Sequence, residues 1–131
     1  MAAAGGPLSP VQIQKLLFLV DRRLAAAVGG PHFQFEPYDY GPFDATVYHS
    51  LEGLEDMGLA EISRPEAKSS RTYGLSPEGQ AAGERELAAL GDTAARIREL
   101  AAYVASLTFA QLVSAIYREY PEMRVNSVFH R

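Results

Sequence analysis

The segment from Tyr38 to Ile62 constrains the fold of this chain more than any other. It reads YDYGPFDATVYHSLEGLEDMGLAEI. Gly41-Pro42 predicts a helix start, because proline suits the first helical position. Asp44 then lies in the first turn, where a negative charge suits the helix dipole. Apolar residues recur at helical spacing after it. We therefore predict a helix over residues 42–57 that ends at Gly58.

Two strand-like runs follow this helix. Residues 59–62 form the first and residues 71–75 the second, and a polar loop over 64–70 joins them. The order helix, strand, loop, strand is that of the second half of a winged helix-turn-helix. We predict a mainly α (α+β) fold of this kind, with a two-stranded wing and additional C-terminal helices.

Capping residues predict where the other helices begin. Ser9 and Gln12 form a capping box at the start of the first helix, and Thr108 and Gln111 form another at the start of the last. Ser76 precedes a proline and predicts a further helix start between them.

The length of 131 residues suits one domain with a core. We predict a disordered N-terminus over 1–7, a single winged-helix domain with C-terminal helices over 8–121, and a tail over 122–131. The chain has no cysteine, and no apolar run approaches the length of a membrane span. We therefore expect a cytoplasmic protein with no membrane partner.

The sequence offers little for catalysis or metal binding. Its three histidines, His32, His49 and His130, have no partners in a metal-ligand pattern. His49 and Glu52 are one helical turn apart, which is more typical of a solvated pair. No nucleophile elbow or phosphate-binding glycine motif is present. We predict no catalytic residue, metal ligand or cofactor, and expect a protein that is not an enzyme.

The charges of the predicted 42–57 helix bear on DNA binding. Thr46, His49 and Ser50 are candidate base contacts on its outer face. From Phe43 to Ser63, however, the sequence has five acidic residues and no basic one. Carboxylates disfavour approach to phosphates, and the net charge of −4 disfavours bulk binding to nucleic acid. DNA is therefore a disfavoured partner.

The predicted wing is better suited to phosphates. Arg64, Lys68 and Arg71 are candidate phosphate contacts. The alternative is that they only make an exposed turn polar, which is common in any hairpin.

The acids of the 42–57 helix predict a different partner. A face made by Asp44, Glu52, Glu55 and Asp56 suits a basic protein, such as a toxin or another effector.

Aromatic residues are dense between Phe33 and Tyr48. One interpretation is a stacking platform for bases. The favoured interpretation is that they pack over the first two helices, because the segment lacks the basic residues that follow a nucleic-acid backbone.

The apolar face of the last helix is wider than one packed stripe needs. It includes the following residues: Phe109, Val113, Ile116, Tyr117 and Tyr120. It predicts a homodimer or hetero-complex interface. The alternative is that this face folds back over the core of the same chain.

Four motifs carry a family resemblance: QIQKLLFLVD, YDYGPF, LEGLEDMGLAEI and YGLSPEG, between residues 8 and 80. Together they resemble small bacterial winged-helix proteins similar to YwgA and, more remotely, the SocA-like (Panacea) antitoxin domain. The antitoxin-like resemblance implies a domain that binds and neutralises or delivers another protein. A resemblance to winged-helix regulators implies DNA binding.

We therefore expect a non-enzymatic binding module, an antitoxin-like adaptor for another protein. The alternative is a dimeric DNA-binding regulator that uses the wing and the 42–57 helix.

Overall fold

The computed structural model describes residues 1–129 and, for Ser69, only the backbone. The chain forms five α-helices and two separate two-stranded sheets within this range. In chain order the elements are α1 (Pro10–Arg23), β1 (Glu36–Tyr38), β2 (Gly41–Phe43), α2 (Thr46–Asp56), β3 (Ala60–Ser63), β4 (Thr72–Leu75), α3 (Pro77–Ala89), α4 (Asp92–Ser106) and α5 (Phe109–Glu119). The mainly helical α+β class is confirmed.

The predicted caps are present. Ser9 Oγ accepts a hydrogen bond from the Gln12 backbone N–H, and Gln12 Oε1 accepts one from the Ser9 N–H, at 3.2 and 2.9 Å. Thr108 and Gln111 make the same reciprocal pair. Ser76 accepts from the Gly79 N–H at 3.0 Å. Three helix starts were therefore predicted correctly, because a cap needs only residues adjacent in sequence.

The predicted start of the second helix at Pro42 is wrong, because α2 begins at Thr46. Gly41-Pro42-Phe43 instead forms β2, antiparallel to β1, with Tyr38 opposite Gly41 and Pro37 opposite Pro42. Gly41 has a φ of +103°, a conformation that favours glycine at this turn.

Asp44 marks the true helix start. Its Oδ1 accepts hydrogen bonds from the Thr46 backbone N–H at 2.8 Å and from the Thr46 hydroxyl at 2.7 Å. β1 and β2 occupy the segment between α1 and α2, so a β-hairpin separates these two helices. β3 and β4 form the second hairpin, at the predicted position to within one residue.

The first residues are ordered, which corrects the predicted disordered segment over 1–7. Residues 2–4 form a short 3₁₀ helix, and Ala2 is buried against α3 and α4. Residues 2–4 can pack against α3 because Gly83 has no side chain: a Cβ built there would lie 2.5 Å from the Cβ of Ala2. Alanine beside glycine allows the two segments to approach closely.

The predicted tail over 122–131 is also part of the packed structure as far as residue 129. Residues 121–124 form a 3₁₀ helix whose Met123 is buried. Beyond it, the backbone N–H of Val128 donates to the Asp39 carbonyl at 2.9 Å. His130 and Arg131 lie outside the described residues.

One core unites these elements. Ile13, Leu16, Phe18 and Leu19 of α1 lie at its centre and are almost completely buried. Helices α4 and α5 pack against α1 on one side, and β4 contacts α1 on another. The two hairpins lie at different places on this core, so their exposed surfaces are separate.

Two helical glycines give opposite expectations for stability. A Cβ at Gly79 would lie 1.8 Å from the Leu59 carbonyl oxygen, whereas a Cβ at Gly53 would meet nothing within 4 Å. We expect Gly79→Ala to destabilise the fold by about 1–3 kcal/mol or more through overpacking. Gly53→Ala should stabilise it by about 0.5–1 kcal/mol through helix propensity. Urea denaturation of both variants measures the difference, and equal free energies of unfolding would contradict the observed packing.

Candidate functional site

The β1–β2 hairpin carries an exposed aromatic surface. Tyr38 is 54% exposed and Tyr40 is 42% exposed. Phe109 at the start of α5 (46%) and Val128 (52%) extend this surface. The Tyr40 and Phe109 rings meet edge to face, with centroids 5.1 Å apart, and Val128 is hydrogen-bonded to the hairpin turn. We call these four side chains the aromatic patch.

Three buried polar side chains of α1 hold the segment that leads to the patch. Gln14 donates to the carbonyl oxygen of Asp44 at 2.9 Å and accepts from its N–H at 3.0 Å. Lys15 Nζ donates to the Pro42 carbonyl at 3.2 Å. Asp21 Oδ2 accepts from the N–H groups of His32 and Phe33 at 3.0 and 2.8 Å.

Two of these three side chains are ionisable, and Lys15 is the more deeply buried, at 3% exposed against 9% for Asp21. Burial lowers the pKa of Lys15 to about 8. β2 passes closely over it: a Cβ at Gly41 would lie 3.6 Å from Lys15 Cε and 3.3 Å from the Tyr117 ring.

A second brace comes from the C-terminal segment. Asn126 Nδ2 donates to the Pro37 carbonyl at 3.2 Å, and Ser127 Oγ lies 3.2 Å from the Asp39 carbonyl. Tyr117 of α5 donates to Ser127 Oγ at 2.6 Å. The hairpin is therefore held from both sides, which limits how far the patch can move.

A groove of about 600 Å³ adjoins the patch. Phe33, Tyr38 and Phe43 supply aromatic surface in its lining, and Glu36 and Asp44 supply carboxylates. No lysine or arginine is among its described lining residues. Although partial burial acts to raise the pKa of Asp44, hydrogen bonds from Thr46 and from the Gln34 backbone bring it below its ordinary value. We call this the acidic groove.

The predicted phosphate contacts lie on a separate cleft of about 530 Å³ between α2 and the β3–β4 hairpin. Lys68, Arg71 and the predicted base contact His49 line it together. Arg64 also lies there, but both of its terminal nitrogens donate to Glu55, each at 2.8 Å. These hydrogen bonds from Arg64 lower the pKa of Glu55. We call this the basic cleft.

The other predicted base contacts are not brought together with the wing. The Thr46 hydroxyl is directed to Asp44 at the start of α2. Ser50 is exposed on α2. Only one of the three predicted base contacts therefore lies with the basic residues.

The predicted protein-partner face is smaller than expected. Asp44 accepts hydrogen bonds from Gln34 and Thr46, and Glu55 is paired with Arg64. Glu52 and Asp56 remain exposed on α2. The acidic character that sequence analysis assigned to α2 thus belongs in part to the acidic groove.

The predicted dimer face is corrected by burial within the chain. Val113, Ile116 and Tyr117 belong to the core, because α5 packs on α1. Tyr120 packs edge to face on Phe18, with ring centroids 4.9 Å apart. Phe109 alone of the five is more than two-fifths exposed, and it joins the aromatic patch.

The aromatic cluster divides into two groups. Phe35 packs on Phe18 of α1, and Tyr48 stacks on Tyr73, with centroids 5.5 and 5.4 Å apart, as the packing interpretation predicts. Tyr38 and Tyr40 do not follow it. Tyr38 ends β1 and Tyr40 lies in the tight turn that follows. Their place at a hairpin turn is the signal in sequence that could have indicated exposure.

Arg22 and Arg23 are engaged at the surface of α1. Arg22 pairs with Glu122 and lies over the rings of Phe18 and Tyr120, at 5.1 and 5.2 Å from their centroids. Arg23 pairs with Glu119. These contacts join α1 to the end of α5, which explains both arginines structurally.

Among residues 1–129, no group of three or more metal-binding side chains occurs. No helix in that range has the length and apolar character needed to cross a bilayer. No protein-family model, curated protein or solved structure matches this chain.

Lys15 predicts a dependence of stability on pH. Its pKa is about 8 in the folded protein and 10.5 ordinarily. Between these values the unfolded chain binds the proton and the folded chain does not, so stability rises with pH, by up to ~1.4 kcal/mol per pH unit. We expect urea denaturation to show this rise from pH 8 to 9.5.

Lys15→Met should flatten that rise. Lys68→Met changes the only other lysine of the chain, which is exposed, and should leave the rise unchanged. A rise that persists in Lys15→Met would show that another group causes it.

Proposed function

We propose that this chain is a non-enzymatic binding module of the winged-helix type that docks another protein through the aromatic patch and the acidic groove. The observation that carries the proposal is the exposure of Tyr38 and Tyr40 on a braced hairpin, with the exposed Phe109 of α5 packed against Tyr40. The order α2, β3, loop, β4 supports the winged-helix assignment.

Exposed aromatic side chains in a cluster are typical of protein-binding surfaces. Tyrosine and phenylalanine supply large contact areas with few rotatable bonds, and they are enriched at interfaces. Bracing by α1 and by the C-terminal segment keeps the patch in place before a partner arrives. A preorganised surface loses less conformational entropy on binding.

The acidic groove indicates the chemistry of the partner. Glu36 and Asp44 lie among aromatic side chains, without a lysine or arginine in the described lining. A partner segment with lysine or arginine beside apolar residues matches both features. An antitoxin-like adaptor that captures a basic toxin or effector is one form of this function.

Duplex DNA fits this geometry less well. Glu55 neutralises Arg64 through two hydrogen bonds, so one of three candidate phosphate contacts is engaged. Glu52 lines the same cleft and would repel a polyanion. The geometry therefore favours a protein partner.

Selection from a random peptide library tests the proposal. We expect enriched peptides to combine basic and apolar residues. Replacing Tyr38 and Tyr40 together by serine should weaken their binding about tenfold or more, which is ~1.4 kcal/mol, because the aromatic contact area is lost.

Tyr103→Ser is the control, because Tyr103 is 44% exposed on α4 and is not part of the aromatic patch. Because Tyr103 does not line the acidic groove, its replacement should leave peptide binding unchanged. Failure to enrich any basic, apolar peptide, or equal effects of the two sets of substitutions, would overturn the proposal. Circular dichroism of each variant checks that the fold is retained.

A further inference from the structure

We infer that the basic cleft is a second binding site, separate from the aromatic patch, for a small phosphomonoester that carries an aromatic or apolar group. The cleft lies between α2 and the β3–β4 hairpin and has a volume of about 530 Å³. This is within the range of sites that enclose small organic ligands.

The charges of the cleft favour an anion. Arg64, Lys68 and Arg71 line it. Glu55 balances the charge of Arg64, which leaves Lys68 and Arg71 against a single lining carboxylate, Glu52. This is notable in a chain with a net charge of −4. Because Glu55 is held by Arg64, it is not free to neutralise the other two basic side chains.

Arg71 has a hydrogen-bond donor that lacks an acceptor. Within the described residues, its Nε is buried and has no hydrogen-bond partner, and no carboxylate forms an ion pair with its guanidinium. An unsatisfied buried donor destabilises the folded state. A bound oxyanion would supply the missing acceptor once the side chain turned Nε towards the cleft.

The arrangement of donors suits a phosphate group better than a carboxylate. Arg71 follows the hairpin loop, Lys68 lies within it, and His49 lies on α2 across the cleft. Donors from three side chains match the several oxygens of a tetrahedral phosphate, and arginine binds such oxygens in pairs.

The other lining residues offer a surface that the aromatic or apolar group of the ligand can contact. Pro10, Ile62, Tyr48 and Tyr73 contribute apolar and aromatic surface beside the basic residues. Glu52 makes the cleft unsuitable for an extended polyanion, because neighbouring phosphates would lie against it. The chemistry therefore indicates a small phosphomonoester rather than duplex DNA.

Titration of the full chain with adenosine monophosphate, adenosine and inorganic phosphate tests this inference, with binding followed by NMR shifts of the His49 and Tyr48 signals. We expect saturable binding of the monophosphate, about tenfold or more tighter than that of adenosine. Inorganic phosphate should shift His49 at higher concentration. A duplex DNA of unrelated sequence should bind no more tightly than the monophosphate.

Arg71→Gln and Lys68→Gln should each weaken binding of the monophosphate by about tenfold. Arg85→Gln is the control, because it makes the same charge change on the exposed face of α3. Lys68 is exposed, so its variant keeps the test valid if Arg71→Gln fails to fold.

Three outcomes would overturn the inference. They are the absence of saturable binding by any phosphate probe, equal binding of adenosine and its monophosphate, and tighter Arg71-dependent binding of duplex DNA. Replacing Tyr38 and Tyr40 by serine should leave phosphate binding intact, so the two sites can fail independently.

Discussion

The structure depends on three polar side chains buried along one helix. Gln14, Lys15 and Asp21 of α1 hold a returning segment that has little regular structure of its own. Without these contacts, the short strands β1 and β2 would keep only their own pairing and the brace from Asn126 and Ser127, and a two-stranded hairpin by itself is marginal in water. Apolar packing beside them builds the core, but these hydrogen bonds determine where the hairpin lies on it.

Lys15 shows the cost of this arrangement. Desolvation opposes its charge, and a single hydrogen bond to the Pro42 carbonyl only partly compensates. An apolar side chain would be easier to bury there. The lysine therefore has a positional role, because it reaches a carbonyl that a shorter or apolar side chain would leave without a donor.

Local features were predictable from sequence, and features that depend on distant partners were not. The helix starts after Ser9 and Thr108 follow from nearby capping residues. Gly41-Pro42 is compatible with both a helix start and a strand leaving a turn, and only its pairing with β1 decides between them. In the same way, the width of the apolar face on α5 was evident, but its burial depends on α1. The basic residues of the wing were recognised in sequence, whereas the pairing of Arg64 with Glu55 needed the fold.

The anchors of the hairpin segment have one property in common: the atoms they hold are all in the main chain. They are the N–H groups of His32 and Phe33, the carbonyl of Pro42, and both backbone groups of Asp44. The hairpin segment is therefore held through its backbone, and the exposed side chains of Tyr38 and Tyr40 are not part of this hydrogen bonding. Substitution at Tyr38 or Tyr40 would therefore change the exposed surface and leave these main-chain hydrogen bonds in place.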